Sequence, residues 1–145
     1  MEIRFTPRER VKIFEFLKSN RVEIKVDFAF YPYKRIKKGF KVQNVRVDNL
    51  FDIATNKLQT IINRTEVKDF VDLYFLLQKF ALLSVRQDAE KKFGMRIDNL
   101  FFGSELAKVR RIAALPKMLK PLTIENLKAF FIQQATKLTS TIIEE

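Results

Sequence analysis

Cysteine and histidine are both absent from the chain. Without thiols there is no disulfide framework and no thiolate metal site, which fits a reducing cytoplasm. Without imidazole there is no histidine general base, no Ser-His-Asp triad and no imidazole zinc site. Tryptophan is missing as well, and fifteen phenylalanines stand in its place, so a core rich in aromatic contacts is expected. No apolar run approaches the ~18–20 residues that span a bilayer. The first residues, with Arg4, Arg8 and Arg10 among polar neighbours, lack the apolar stretch of a signal peptide. A soluble, cytoplasmic protein without membrane contact is the expectation. Internal repeats, low-complexity tracts and sustained heptads are also lacking.

What the chain has in excess is positive charge. Lys and Arg number 28 against 17 acidic residues, a formal charge of +11 over 145 residues. Such a surplus favours polyanions such as RNA, DNA or nucleoside triphosphates, and ribosomal and scaffold proteins share it. The densest run is Tyr31-Pro32-Tyr33-Lys34-Arg35-Ile36-Lys37-Lys38-Gly39-Phe40-Lys41. Cations interleaved with aromatics can hold phosphates while stacking a base, and Lys34 and Arg35 are its candidate phosphate contacts. The competing role is a solvated loop whose lysines discourage strand pairing at a sheet edge.

Periodicity divides the chain. Val11 to Lys18 and Val22 to Phe30 flank Ser19-Asn20-Arg21 as a β-hairpin, although Ile13, Phe16 and Leu17 also satisfy helical spacing. Lys41 to Val47 suggests one further short strand. Beyond it, helices are expected over 49–63, 66–79, 82–93, 98–114 and 124–142, with Gly94 as a C-terminal stop and Thr123 as an N-cap. Pro116 and Pro121 bracket a linker. The architecture is therefore α+β: a small, incomplete N-terminal sheet over 1–46, packed with a mainly helical region over 47–145 of the same domain. A sheet of that kind would expose an unpaired edge, open to a dimer or a partner chain.

Within the first helix, Leu50, Ile53, Ala54, Leu58 and Ile61 share one stripe, and Lys57 falls at its centre. Arg64 follows on the same line, and the opposite side carries Asp52, Thr55, Gln59 and Asn63. An unpaired buried ammonium would cost several kcal/mol. Lys57 therefore requires a carboxylate, a bound phosphate, or water reached by bending outward. Arg64 suits the last turn, where the macrodipole favours a cation and free carbonyls accept bonds. In the second helix a single polar strip holds Lys68, Asp69, Asp72 and Lys79. Asp69 and Asp72, three residues apart, are surface neighbours that fit either a carboxylate pair or an ordinary solvated face. The short connection makes these helices an antiparallel hairpin, in which an Arg64–Asp69 bond would clamp the turn by ~0.2–1 kcal/mol if exposed.

Lys57-Leu58 followed by Arg64, then Lys68-Asp69 with Asp72-Leu73-Tyr74 and an apolar run, resembles the later motifs of the abortive-infection nucleotidyltransferase toxins, the AbiEii/AbiGii-like family. Val22-Glu23-Ile24-Lys25-Val26-Asp27-Phe28 is similar to the strand that brings their third acidic residue. The spacing to Glu90-Lys91-Lys92-Phe93-Gly94 and to Pro116-Lys117-Met118-Leu119 extends the likeness over most of the chain. The resemblance implies that Lys57 contacts nucleotide phosphates, that Asp69 and Asp72 lie at the active cleft, and that Asp27 is a metal-facing carboxylate for magnesium. It implies transfer of a nucleoside monophosphate from a triphosphate to an RNA or protein acceptor, with a cognate antitoxin as partner.

The family's opening Gly-Ser turn and Asp-x-Asp pair have no counterpart before Asp27, and Gly103-Ser104 lies in a predicted helix. A chain corresponding to the later two-thirds of such a protein, inactive alone, is expected, because one carboxylate cannot hold two metal ions. Two other roles fit the same residues. One is a non-catalytic basic module that binds RNA or a protein partner, and the other is a structural subunit that completes another chain's sheet.

Overall fold

The computed structural model describes the backbone of residues 2–4, 11–18, 22–29 and 31–140, with side chains from Tyr31 onward. It divides into two compact units, residues 1–33 and 34–145.

The first unit is a three-stranded antiparallel sheet of β1 (Glu2–Arg4), β2 (Val11–Lys18) and β3 (Val22–Ala29), in the order β1-β2-β3. The expected hairpin is present with Val11 opposite Ala29 and Lys18 opposite Val22. The helical alternative for its first arm is thereby excluded. β1, which the sequence pattern did not announce, pairs with β2 from Glu2 opposite Glu15 to Arg4 opposite Ile13. The turn residues 19–21 and the end of the second arm at Phe30 lie outside the described residues.

The second unit begins with a correction. Lys41 to Val47 is not one strand but two, β4 (Phe40–Val42) and β5 (Val45–Val47), paired antiparallel. Gln43 turns the chain with a φ of 52°, at the first central position of a two-residue turn, where hairpins favour positive φ. Gly39 precedes this hairpin for a steric reason. A Cβ there would lie 1.8 Å from the Val47 carbonyl oxygen, so only glycine permits that approach.

Five helices follow: α1 (Leu50–Asn63), α2 (Val67–Leu76), α3 (Leu82–Phe93), α4 (Asn99–Ala107) and α5 (Ile124–Ser140). The expected long helix over 98–114 is shorter, and its end tightens into a 3-10 turn over Lys108–Arg111. The last two residues of the expected 124–142 helix lie outside the described residues. The starts and stops follow their caps. The side chains of Asn49 and Asp98 accept from Phe51 N–H and Phe101 N–H, and Thr123 accepts from Asn126 N–H at 3.2 Å. Gly94 closes α3 in the left-handed region at φ 63°, ψ 37°. The Pro116–Pro121 linker runs without helix between the 3-10 turn and α5.

Ala54, Leu58, Ile61, Phe70, Leu73, Val85, Phe102, Leu106, Leu127 and Phe131 are fully buried and form the core. Edge-to-face ring pairs run through it, Phe70 with Phe131 at 5.1 Å and Tyr74 with Phe130 at 5.0 Å, as the phenylalanine content led one to expect. Gly103, the residue of the isolated Gly-Ser pair, sits buried inside α4, 3.4 Å from the Ala135 carbonyl of α5 by its Cβ position. It serves helix packing. Among the described residues no helix is long and apolar enough to cross a membrane.

Gly94 permits a direct test. Nothing lies within 4 Å of a Cβ built there, so Gly94→Ala is opposed by backbone conformation alone. A loss of about 1–2 kcal/mol is expected, with a smaller loss for Gly94→Asn. Urea unfolding should show lower midpoints at an unchanged slope.

Candidate functional site

The α1–α2 hairpin brings four of the expected site residues together. Residues 64–66 connect the helices, and Arg64 leaves α1 in extended backbone, φ −153° and ψ 162°. This turn aims the guanidinium at α2 rather than at the free carbonyls of its own helix. Its Nε donates to Asp69 Oδ2 at 3.0 Å, and Nη1 lies 3.4 Å from Glu66. Two turns back on α1, the Lys57 ammonium lies 3.0 Å from Asp69 Oδ1 and 2.6 Å from Asp72 Oδ2. Lys57 is thus answered by carboxylates, and snorkelling into water does not account for it.

Asp69 is not on a solvated face. Only 1% of its side chain is exposed, whereas Asp72 is 49% exposed. The two carboxylates therefore have different tasks. Asp69 is a buried anchor with a cation on each oxygen. Asp72 is an open partner that can exchange Lys57 for water or a ligand. Burial of Lys57 would lower its pKa, but the hydrogen bonds and charges of Asp72 and Asp69 outweigh that and raise it above 10.5. Lys57 is a fixed cation at any physiological pH.

Beyond Asp72 the surface opens into a cleft of about 340 Å³, lined by Lys68, Val71, Phe75, Lys117, Met118 and Lys120 among others. Its volume is in the range of small-molecule sites. Three lysines and an aromatic ring border it, and Lys120 Nζ stands 5.5 Å from the Phe75 ring centre. The linker between the two prolines forms one wall.

A second ionic centre was missed by periodicity. Asp52 and Thr55 were expected on the polar side of α1, yet both are fully buried, while Leu50, placed in the apolar stripe, is 46% exposed. Asp52 accepts from Ile36 N–H and Lys37 N–H, each at 2.8 Å, and from Lys92 Nζ at 2.9 Å. Lys92, 2% exposed, also donates to Asn56. Burial raises the Asp52 pKa, but the two backbone N–H groups and the Lys92 ammonium together bring it below 3.8. A carboxylate one turn into a helix with a lysine two residues before a terminal glycine carries no periodic signal, so the pairing is visible only in three dimensions.

The remaining expected residues are placed as follows. Lys34 and Arg35 are both exposed, and Arg35 is engaged by Asp48. Asp27 lies on β3 opposite Ile13, and its side chain is outside the described residues. As for magnesium, both oxygens of Asp69 and one of Asp72 already face cations, and no group of three potential ligands gathers among the described residues. Those residues do not by themselves fit a magnesium site.

The family follows from the sequence as a whole. Residues 2–140 match the family described as Nucleotidyl transferase AbiEii toxin, Type IV TA system, and the chain belongs to it. Comparison with curated proteins and with solved structures gave no match.

The two carboxylates should separate in stability measurements. Asp69→Asn removes the buried negative charge and replaces one of its two acceptor oxygens by a donor facing a cation, and is expected to lower stability by about 2–4 kcal/mol. Asp72→Asn should change it by less than about 1 kcal/mol. The pH limbs have definite signs as well. The Asp52 contribution is complete above 3.8 and is lost as pH falls through its lower folded value. The Lys57 contribution is complete below 10.5 and is lost as pH rises through its higher folded value. Urea unfolding across pH should therefore show a shallower alkaline limb in Lys57→Met than in the parent.

Proposed function

We propose that the α1–α2 ionic cluster is the nucleotide-facing part of a nucleotidyltransferase toxin site, with Lys57 as the phosphate contact. The observation that carries this reading is the unequal sharing of Lys57 between a buried and an exposed carboxylate. Asp69 holds the ammonium in place whether or not ligand is bound. Asp72 leaves it on the cleft side, where a phosphate oxygen is a competing acceptor. A charge fixed in a partly desolvated position acts on a polyphosphate more strongly than a mobile surface lysine does.

The roles follow from that geometry. Lys57 neutralises the triphosphate, Arg64 and Asp69 fix its position, and Asp72 accepts either Lys57 or a group on the acceptor. Lys34 and Arg35 supply further phosphate contacts, and the 340 Å³ cleft receives the remainder of the ligand. Asp27 is the carboxylate to which the family resemblance gives a metal-facing role. With no Asp-x-Asp pair in this chain, transfer of a nucleoside monophosphate requires that motif from elsewhere. The chain alone binds nucleotide without turning it over. A cognate antitoxin is the partner that family membership suggests, and RNA or protein the acceptor.

The test is equilibrium binding of GTP, ATP, CTP and UTP with magnesium to the parent, Lys57→Ala and Lys57→Arg, each shown to be folded by far-ultraviolet circular dichroism. Expected is a loss of roughly tenfold or more in Lys57→Ala, in keeping with one charged hydrogen bond of ~1.5–3 kcal/mol, and partial recovery in Lys57→Arg. Equal affinity in parent and Lys57→Ala would leave the cluster as a clamp for the helical hairpin only.

A further inference from the structure

The β4–β5 hairpin pairs two cations across its strands. Lys41 stands directly opposite Arg46, so both side chains rise on one face of a two-stranded ribbon. Like charges in that position destabilise the pair they join. Residues 31–47 contain six lysines and arginines and no acidic residue, and nothing within the segment offsets the repulsion. Arg35 has Asp48, but Lys38, Lys41 and Arg46 have no carboxylate partner among the described residues. All three are exposed. Together with Arg35, Gly39, Phe40 and Val47 they line one cavity of about 370 Å³. Phe40 is 61% exposed and borders the cavity, although strand alternation puts its side chain on the face opposite Lys41 and Arg46, with Val42 and Val45.

The mount of this hairpin is rigid. Asp52 binds the N–H groups of Ile36 and Lys37, just before it, and Lys92 locks Asp52. Lys37 Nζ lies 4.1 Å from the Phe51 ring centre. Gly39 lets the chain pass against the Val47 carbonyl. Four cations are thus gathered on a fixed backbone rather than scattered on a mobile loop. A tight hairpin tolerates such a cluster when an anion with regularly spaced charges fills it.

We propose that the β4–β5 hairpin is a binding surface for a single-stranded polynucleotide that crosses the edge of the ribbon, with Lys38, Lys41 and Arg46 meeting phosphates and Phe40, on the face opposite Lys41 and Arg46, as a ring for a base. Phosphates meet the cations and a base meets the exposed aromatic, a combination that an acidic peptide or an anionic lipid surface does not use. Arg35 borders both this surface and the proposed nucleotide site, but Lys57, Asp69 and Asp72 are not among the residues that line this cavity.

Fluorescence anisotropy of a labelled oligouridylate and oligodeoxythymidylate, each of about 15 nucleotides to cover one site, tests this across a salt series. The variants are Lys41→Gln/Arg46→Gln, Phe40→Ala and, as a control, Lys57→Ala. The double variant removes a repulsive pair, so its thermal stability should equal or exceed that of the parent. Weaker binding then cannot come from unfolding. Expected is a loss of roughly tenfold or more, with the logarithmic salt slope reduced by about 1.4, since each phosphate contact contributes ~0.7 on a single strand. Phe40→Ala should weaken binding with the slope unchanged, and Lys57→Ala should leave both intact. Tight binding of either strand supports the surface, and the stronger of the two tells which sugar it prefers. An unchanged slope in the double variant overturns the proposal. So does equal competition by polyglutamate at matched charge, or binding to phosphatidylserine vesicles in place of either strand.

Discussion

Asp69 is a carboxylate withdrawn from water, and much of the helical hairpin is arranged around that fact. An ion at 1% exposure has lost most of its hydration, a penalty of several kcal/mol that only close cations can offset. Lys57 and Arg64 reach it from one helix, seven residues apart, and both oxygens are satisfied. The pair of helices is therefore held in one register. A slip of α2 by one residue would turn Asp69 away from both cations and leave its buried charge uncompensated. Apolar contacts between Leu58, Ile61, Phe70 and Leu73 would tolerate such a slip far better, since one aliphatic surface resembles another. The same constraint holds Lys57 against Asp72, which lines the cleft.

Asp52 solves a related problem at the other end of α1. Its two oxygens bind successive backbone N–H groups, a task that no apolar side chain of similar volume performs. Replacing the Asp52–Lys92 pair by hydrophobic residues could preserve stability, but residues 36 and 37 would lose the acceptor that sets their course. The buried charge is retained for geometry. It carries the start of the basic hairpin on the same helix that carries Lys57.

The elements were largely legible because their signals are local. Gly94 and Thr123 act where they were expected to cap, Asn49 and Asp98, read as the first helical residues, prove to be N-caps, and helical periodicity survives in α1, α2, α3 and α5. The β4–β5 hairpin was not legible as two strands, because Gln43-Asn44 is a weak turn signal beside Asn-Gly or Asp-Gly. The long helix over 98–114 failed because Lys108–Arg111 retains helical spacing while its hydrogen bonds tighten. Lys57 stood out as a charge within an apolar stripe, and that contrast is readable in one dimension. The Arg64–Asp69 bond was readable from the short connection, but the burial of Asp69 and Asp52 was not, because a polar residue on a polar strip looks solvated until another segment covers it. For Asp69 the cover is its own hairpin; for Asp52 it is residues 36–37 and Lys92, fifteen to forty residues distant.

The positive charge is then divided by use. Within the helical unit, carboxylates are spent on pairing: Asp52, Asp69, Asp72, Glu90 and Glu105 each face a lysine or arginine. The surplus is left where no acid was placed, along residues 31–47 and again along residues 106–124. A uniform excess would make the whole surface attract polyanions weakly, and screening would remove much of that attraction beyond about 8 Å at physiological salt. A concentrated excess on a fixed hairpin acts at contact distance, where screening matters least. The arrangement of the carboxylates, more than the net charge, decides which cations are left unpaired.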